Sequence, residues 1–318
     1  MKHHNLKITL ILLAMFITTQ FIGIYVVDYY SPVKFFQGHA IEIDSPDLPF
    51  GLETPELEDN EFNQMFVFVI FAFIIAILLL FFLSKLDMAF IMRLWFFIVV
   101  IIALGISFTS FLFRIGSQEI QLFSSVIPLP WLIALILAIP LAFIKIYKRD
   151  FFIHNSTELF IYPGIAAVFV PILNVYTIVA LLILISVYDA WAVWHSGIMQ
   201  KMAKYQINKL NVFSGFFVPY VSKAVKKKLK KLKKSELKKK KIRVNMAILG
   251  GGDVVFPIIA AGVMLKTLGI YSSIFVIIGA TLGLSYLMFF AEKKKFYPAM
   301  PFISAGIFLG ILVSYLIF

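Results

Sequence analysis

Two aspartates lie inside runs of apolar residues, Asp189 in TIVALLILISVYDAWAVW and Asp253 in VNMAILGGGDVVFPIIAAGVML. Of 17 acidic residues, nine fall between Asp28 and Glu61. Most of the others read as helix ends or loops, so these two read as the only carboxylates set deep in apolar helices. A carboxylate in hydrocarbon is costly unless it is neutral, paired or solvated, and such residues mark functional sites. Two carboxylates brought together in a medium of low dielectric titrate as a pair and share one proton. The charged member can take a proton from water while the neutral one donates to a peptide carbonyl oxygen. Paired carboxylates can hydrolyse a peptide bond by that division of labour.

The neighbours of the two aspartates suit a reactive site. Gly250, Gly251 and Gly252 precede Asp253. Three glycines weaken a helix and let another backbone, or a substrate, come close. Pro257 takes the helical donor away from the Asp253 carbonyl, which predicts a bend or local unwinding there. Tyr188 brings a phenol next to Asp189. The last apolar run opens with Pro298-Ala299-Met300-Pro301. Its two prolines remove donors and favour an extended approach, which suits docking of an extended peptide by backbone bonds. It also suits a plain helix start, where proline is common.

The elements that position these residues follow from composition. The chain of 318 residues is 61% apolar and 14% charged, with 35 phenylalanines. A soluble domain is roughly half apolar and about a quarter charged. The apolar runs are too long for barrel strands, so the fold class is an all-α polytopic membrane protein. Nine runs approach or reach span length: 7–27, 64–84, 88–113, 123–145, 158–173, 174–197, 243–265, 267–291 and 296–318. The first reads as a retained helix, since no small-residue cleavage site precedes Asp28. The fifth is the shortest and is punctuated by Pro163 and Pro171. The absence of cysteine excludes disulfides, thiol catalysis and Cys-ligated metal. Five scattered histidines predict no metal site, and nothing calls for a cofactor.

Charge sets the expected orientation. With the N-terminus inside and nine alternating spans, 25 of the 29 Lys and Arg fall in inside segments. Only Lys34, Arg114 and Lys266 fall outside, and Arg93 lies near the inner end of the third span. This asymmetry puts the N-terminus and a 198–242 loop in the cytoplasm of a cell-membrane protein, and the acidic loop 28–61 and the C-terminus outside. The chain then divides into 1–197 (helices one to six), 198–242 (basic loop) and 243–318 (helices seven to nine). Residues 197–221 mix Lys with Met, Phe and Tyr and read as an amphipathic segment in the interface plane. The 223–243 run reads as a solvated linker that contacts anionic lipids, at about 1 kcal/mol per basic residue. No aromatic platform accompanies it, which excludes nucleic acid. Asp189 lies about eight residues, or about 12 Å, before the inner end of the sixth span. Asp253 lies about ten residues, or about 15 Å, past the inner end of the seventh, so the depths match.

Tyr188-Asp189 in the sixth span, Gly250-Gly251-Gly252-Asp253 in the seventh and Pro298-Ala299-Met300 in the ninth form an ordered trio. It resembles the YD, GxGD and PAL motifs of the presenilin and signal-peptide-peptidase family of intramembrane aspartyl proteases. The short chain is most similar to archaeal presenilin homologues. The resemblance implies that Asp189 and Asp253 are a catalytic pair acting on transmembrane-helix substrates. It implies that Tyr188, Gly250, Gly251, Gly252, Pro298, Ala299 and Met300 bind substrate or shape the site. Met300 stands where the family has leucine, a swap of similar volume. The orientation is presenilin-like, with the signal-peptide-peptidase branch its inverse, and implies substrates whose N-terminus is outside. A cation or proton carrier using the same pair is the alternative, and a purely structural pair a third. The lack of internal repeats and the otherwise apolar spans weigh against a carrier.

Overall fold

A backbone in hydrocarbon must satisfy its own N–H and C=O groups, and a helix does so within one segment. The computed structural model describes residues 6–36, 39–44, 46–52, 57, 61–86, 88–114, 116, 118–122, 125–148, 150–196, 214–220, 245–290 and 297–318. Among them are nine α-helices. They are α1 Leu6–Tyr30, α2 Glu61–Lys85, α3 Ala89–Leu112, α4 Leu129–Phe143, α5 Phe151–Phe169, α6 Val175–Trp191, α7 Gly251–Leu268, α8 Ile270–Phe290 and α9 Met300–Ile317. Seven of them are long and apolar enough to cross a membrane, with α4 continuing to Lys148 and α6 to His195. The other two are α2, apolar over the shorter stretch Glu61–Ala76, and α5, which buries His154, Asn155, Thr157 and Glu158.

Three antiparallel ribbons complete the described chain: β1 Val33–Phe36 with β2 His39–Glu42, β3 Glu119–Leu122 with β4 Ser125–Pro128, and β5 Gly215–Tyr220 with β6 Asn245–Gly250. They correct several expected boundaries. The fourth helix starts at Leu129 rather than 123, because β4 occupies the residues before it. The fifth starts at Phe151 rather than 158, where the Asp150 side chain accepts from Ile153 N at 2.9 Å and supplies the N-cap. The seventh starts at Gly251 rather than 243, because residues 245–250 pair with 215–220 as strand. That pairing also overturns an amphipathic reading of 215–220. The rest of 197–221, and the basic run 223–243, lie outside the described residues apart from Ser214. Asp253 is therefore in the first turn of α7 and not ten residues along it. Nor is α7 unwound at its carboxylate, since it runs unbroken through Pro257 to Leu268. Gln20 of α1 instead donates from Nε2 to the adjacent Val254 carbonyl at 3.1 Å.

Close helix packing uses small residues, as expected where lipid supplies no hydrophobic drive between helices. On α8 and α9, a Cβ added to Gly279 would lie 2.0 Å from the Gly306 carbonyl oxygen, and one on Gly306 as close to that of Gly279. On α5, a Cβ at Gly164 would meet the Ala103 carbonyl of α3 at 2.0 Å. The largest core cluster joins α1, α5, α6, α7, α8 and α9, with Phe16, Ile178, Ile258, Met264 and Ile303 fully enclosed. At the opposite end of α7 from Asp253, Lys266 Nζ donates to the Val170 and Pro171 carbonyls at 2.9 and 3.2 Å, which closes the end of α5. A capping box of Asn174 and Thr177 then starts α6.

Candidate active site

Asp189, 7% exposed, lies near the C-terminal end of α6. Its Oδ2 accepts from the Met300 backbone N–H at 3.1 Å, and the Ala299 amide also faces it. The first amides of a helix have no partner within it. Asp189 is thus an N-terminal cap for α9, supplied by another helix. Pro298 and Pro301 bear no N–H, so the amides that the segment does offer converge on this carboxylate. Ser186 Oγ donates to Ser304 Oγ at 2.9 Å and ties α6 to α9 one turn away. Three residues after the aspartate, α6 widens into a π-helical turn, Ala192–Ser196, a local distortion common at functional sites. Asp253 is partly buried and belongs to a different pair of elements: β6 ends at Gly250, and α7 begins at Gly251. The Gly250 amide faces the Asp253 carboxylate, and Asp189 is close enough to act on it electrostatically. The ends of α6 and β6 and the starts of α7 and α9 therefore meet at two carboxylates.

The glycines before Asp253 differ in kind. A Cβ at Gly251 would come within 2.7 Å of Ser214 Oγ and 2.8 Å of the Tyr162 hydroxyl. A Cβ at Gly250 would lie 3.1 Å from Asp253 Oδ2, while one at Gly252 would meet only Phe256, at 3.7 Å. Met300 and Pro298 are buried and Ala299 half-buried. Tyr188 directly precedes Asp189 near the end of α6. Its side chain is 47% exposed and its ring lies 6.4 Å from that of Trp191, because residues adjacent on a helix point to different faces.

Sequence reasoning missed the polar face of α5. Glu158 is 1% exposed, a third carboxylate inside an apolar helix, and it corrects the reading that only two exist. Lys145, read as an inner-loop cation, is buried and lies 2.5 Å from Glu158 Oε1. The run His154-Asn155-Ser156-Thr157-Glu158 carried the signal, since five polar residues sit between apolar stretches. Among the described residues, no group of three His, Asp or Glu side chains is arranged to hold a metal ion.

The β5–β6 ribbon has one edge in use. Glu158 Oε1 accepts from Gly215 N, and Asn155 bonds both backbone groups of Phe217, so these β5 residues turn their backbone groups toward α5. The register pairs Gly215 with Gly250, Phe217 with Ile248 and Pro219 with Met246. In an antiparallel ladder, opposed residues share parity. The backbone groups of Met246, Ile248 and Gly250 therefore turn away from β5. Among the described residues no further strand pairs with that edge.

The family model described as signal-peptide peptidase, presenilin aspartyl protease matches residues 40–318. Two solved structures, both described as a presenilin family intramembrane aspartate protease, share the fold. The one in space group C222 is 18% identical, with a TM-score of 0.60 over 98% of this chain and 99% of that one. The one in space group P2 is 17% identical, with a TM-score of 0.58 over 96% and 97%. No curated protein matches by sequence.

Proposed function

The chain belongs to the signal-peptide-peptidase and presenilin aspartyl protease family, and from that membership we propose that Asp189 and Asp253 are its catalytic pair, cutting peptide bonds within transmembrane helices of other membrane proteins. The observation that carries the assignment is the convergence of Asp189, Asp253 and the Met300 amide from three separate helices. One carboxylate is charged and takes a proton from water, whose oxygen bonds to the scissile carbonyl carbon. The other gives its proton to the carbonyl oxygen. The tetrahedral intermediate then collapses: the nitrogen takes the proton that one carboxyl gained from water, the C–N bond breaks, a hydroxyl of the intermediate returns its proton to the other carboxylate, and a carboxylic acid and an amine leave with the pair again sharing one proton. Backbone amides of Met300 and Gly250 orient the two carboxylates, and Gly252 leaves room beside Asp253 for the substrate backbone.

A helix cannot present its carbonyl carbons to this pair until it unwinds. The open edge of β6 offers the unwound segment backbone partners at Met246 and Ile248, in the manner of strand addition. A segment running along that edge continues toward Gly250 and Asp253. All nine helices are read as spans, with the N-terminus and the 198–242 segment inside and the 223–243 lysines against anionic lipid. Neither the family match nor the fold likeness supports the cation-carrier alternative. The test is incubation of the purified protein in detergent with a single-span substrate, with and without a hydroxyl-bearing isostere of the tetrahedral intermediate. The expected result is cleavage within the apolar stretch, suppressed by the isostere. Cleavage indifferent to the isostere, or confined to residues outside the apolar stretch, counts against the assignment.

A further inference from the structure

The polar face of α5 has no part in the chemistry above, yet it is built to high order. Asn155 Oδ1 accepts from Phe217 N at 3.1 Å while its Nδ2 donates to Phe217 O at 3.1 Å. One side chain thus makes the two-way exchange that a neighbouring strand would make. Two residues back, Glu158 Oε1 accepts from Gly215 N at 3.4 Å, and His154 Nε2 lies 2.9 Å from Gly215 O. Lys145 Nζ stands 3.2 Å from His154 Nδ1. An ammonium only donates, so Nδ1 accepts and Nε2 carries the hydrogen given to Gly215. Gly215 has φ 138, a conformation open to glycine. At the next position of the same parity stands Pro219, which has no N–H to leave unsatisfied. From the same helix Tyr162 packs its ring against Phe216 at 5.8 Å and its hydroxyl against the space beside Gly251.

Resting on the protease reading above, we infer that α5 serves as a surrogate third strand. It closes the far edge of β5 and leaves β6 as the open edge among the described residues. Asn155 is a positioning residue: it holds the β5–β6 ribbon from which the first turn of α7, and so Asp253, takes its place. The clamp acts by geometry on β5 and contacts neither aspartate.

The chain has no cysteine, so a cross-strand pair reports on the ribbon directly. Val218 and Ala247 are register partners, and V218C with A247C forms the reporter. The full-length protein in detergent is compared with and without Asn155→Ala. The rate of disulfide formation under mild oxidation is expected to fall at least about threefold in Asn155→Ala, since loss of strand register lowers the population of the bonding geometry. In the same background kcat/KM for a single-span substrate falls about tenfold. Oxidation to the cross-linked form restores it, and reduction removes the rescue. An unchanged rate of disulfide formation overturns the surrogate strand. An unchanged kcat/KM, or a loss that the formed cross-link leaves in place, overturns the positioning role. Failure of the unsubstituted protein to cleave any substrate counts against the protease reading alone, and the disulfide rate still tests the clamp.

Discussion

Asp189 holds two positions at once, one of the paired acids and the cap of α9, which explains how a residue of α6 and the Pro298–Met300 segment come to share a site. Only the Met300 backbone is required for that bond, and its buried side chain fills apolar space. Met300→Leu is therefore expected to cost less than about 1.5 kcal/mol and keep cleavage near its starting rate. Thermal unfolding and initial rates check it, and a large loss would show that the methionine side chain has a part of its own. Gly251 and Gly252 separate packing from access. Gly251→Ala drives a methyl into Tyr162 and Ser214, so it should destabilise by about 1–3 kcal/mol. Gly252→Ala should leave the melting temperature unchanged and, on the proposed reading, act on KM, since its methyl would meet only Phe256, at an ordinary 3.7 Å. Equal melting temperatures for the two variants would contradict this. At this scale the sequence was most legible where a charge had no business being apolar, at Asp189 and Asp253. Glu158 escaped notice because its polar neighbours made the start of α5 look like a loop. Lys145 was counted by its sequence position, when burial beside Glu158 is what defines it.

Helix existence was legible from apolar run length, and the described helices follow eight of the nine expected runs closely at one end or both. The strands were not legible. Residues 244–249 are apolar apart from Asn245, and a short apolar run does not by itself distinguish strand from helix. The partner strand of β6 lies across a long lysine-rich stretch, so nothing local announced the pairing. Helix-to-helix contact carries its own prediction. Gly279 and Gly306 bring α8 and α9 to backbone contact, and α9 carries the Met300 amide to Asp189. Gly306→Val should separate the two helices, lower the melting temperature and reduce cleavage together. Retained cleavage with a lowered melting temperature would show that α9 can shift without disturbing the pair.

For the whole molecule, the ends of α6 and β6 and the starts of α7 and α9 lie together, and 16 basic residues fall between Lys201 and Arg243. On the proposed orientation, with that basic segment inside, the end that carries the two carboxylates faces the cytoplasm. Reporter substrates with one transmembrane sequence in two orientations should show preferential cutting of the form with its N-terminus outside. Preference for the reverse form would refute the orientation while leaving the chemistry intact. Activity should also rise and fall with pH. At low pH both carboxylates are protonated and no base remains, and at high pH both are ionised and no acid remains. A flat profile, with chemistry shown to be rate-limiting, would speak against a shared proton. The most direct measurement is cleavage of a membrane substrate by Asp189→Asn and Asp253→Asn, each with its melting temperature. Removing a buried charge often leaves a fold as stable or more so. Loss of acid–base function should lower the rate about a hundredfold or more in each variant, with melting temperatures held or raised. Near-native cleavage by either variant would contradict the account.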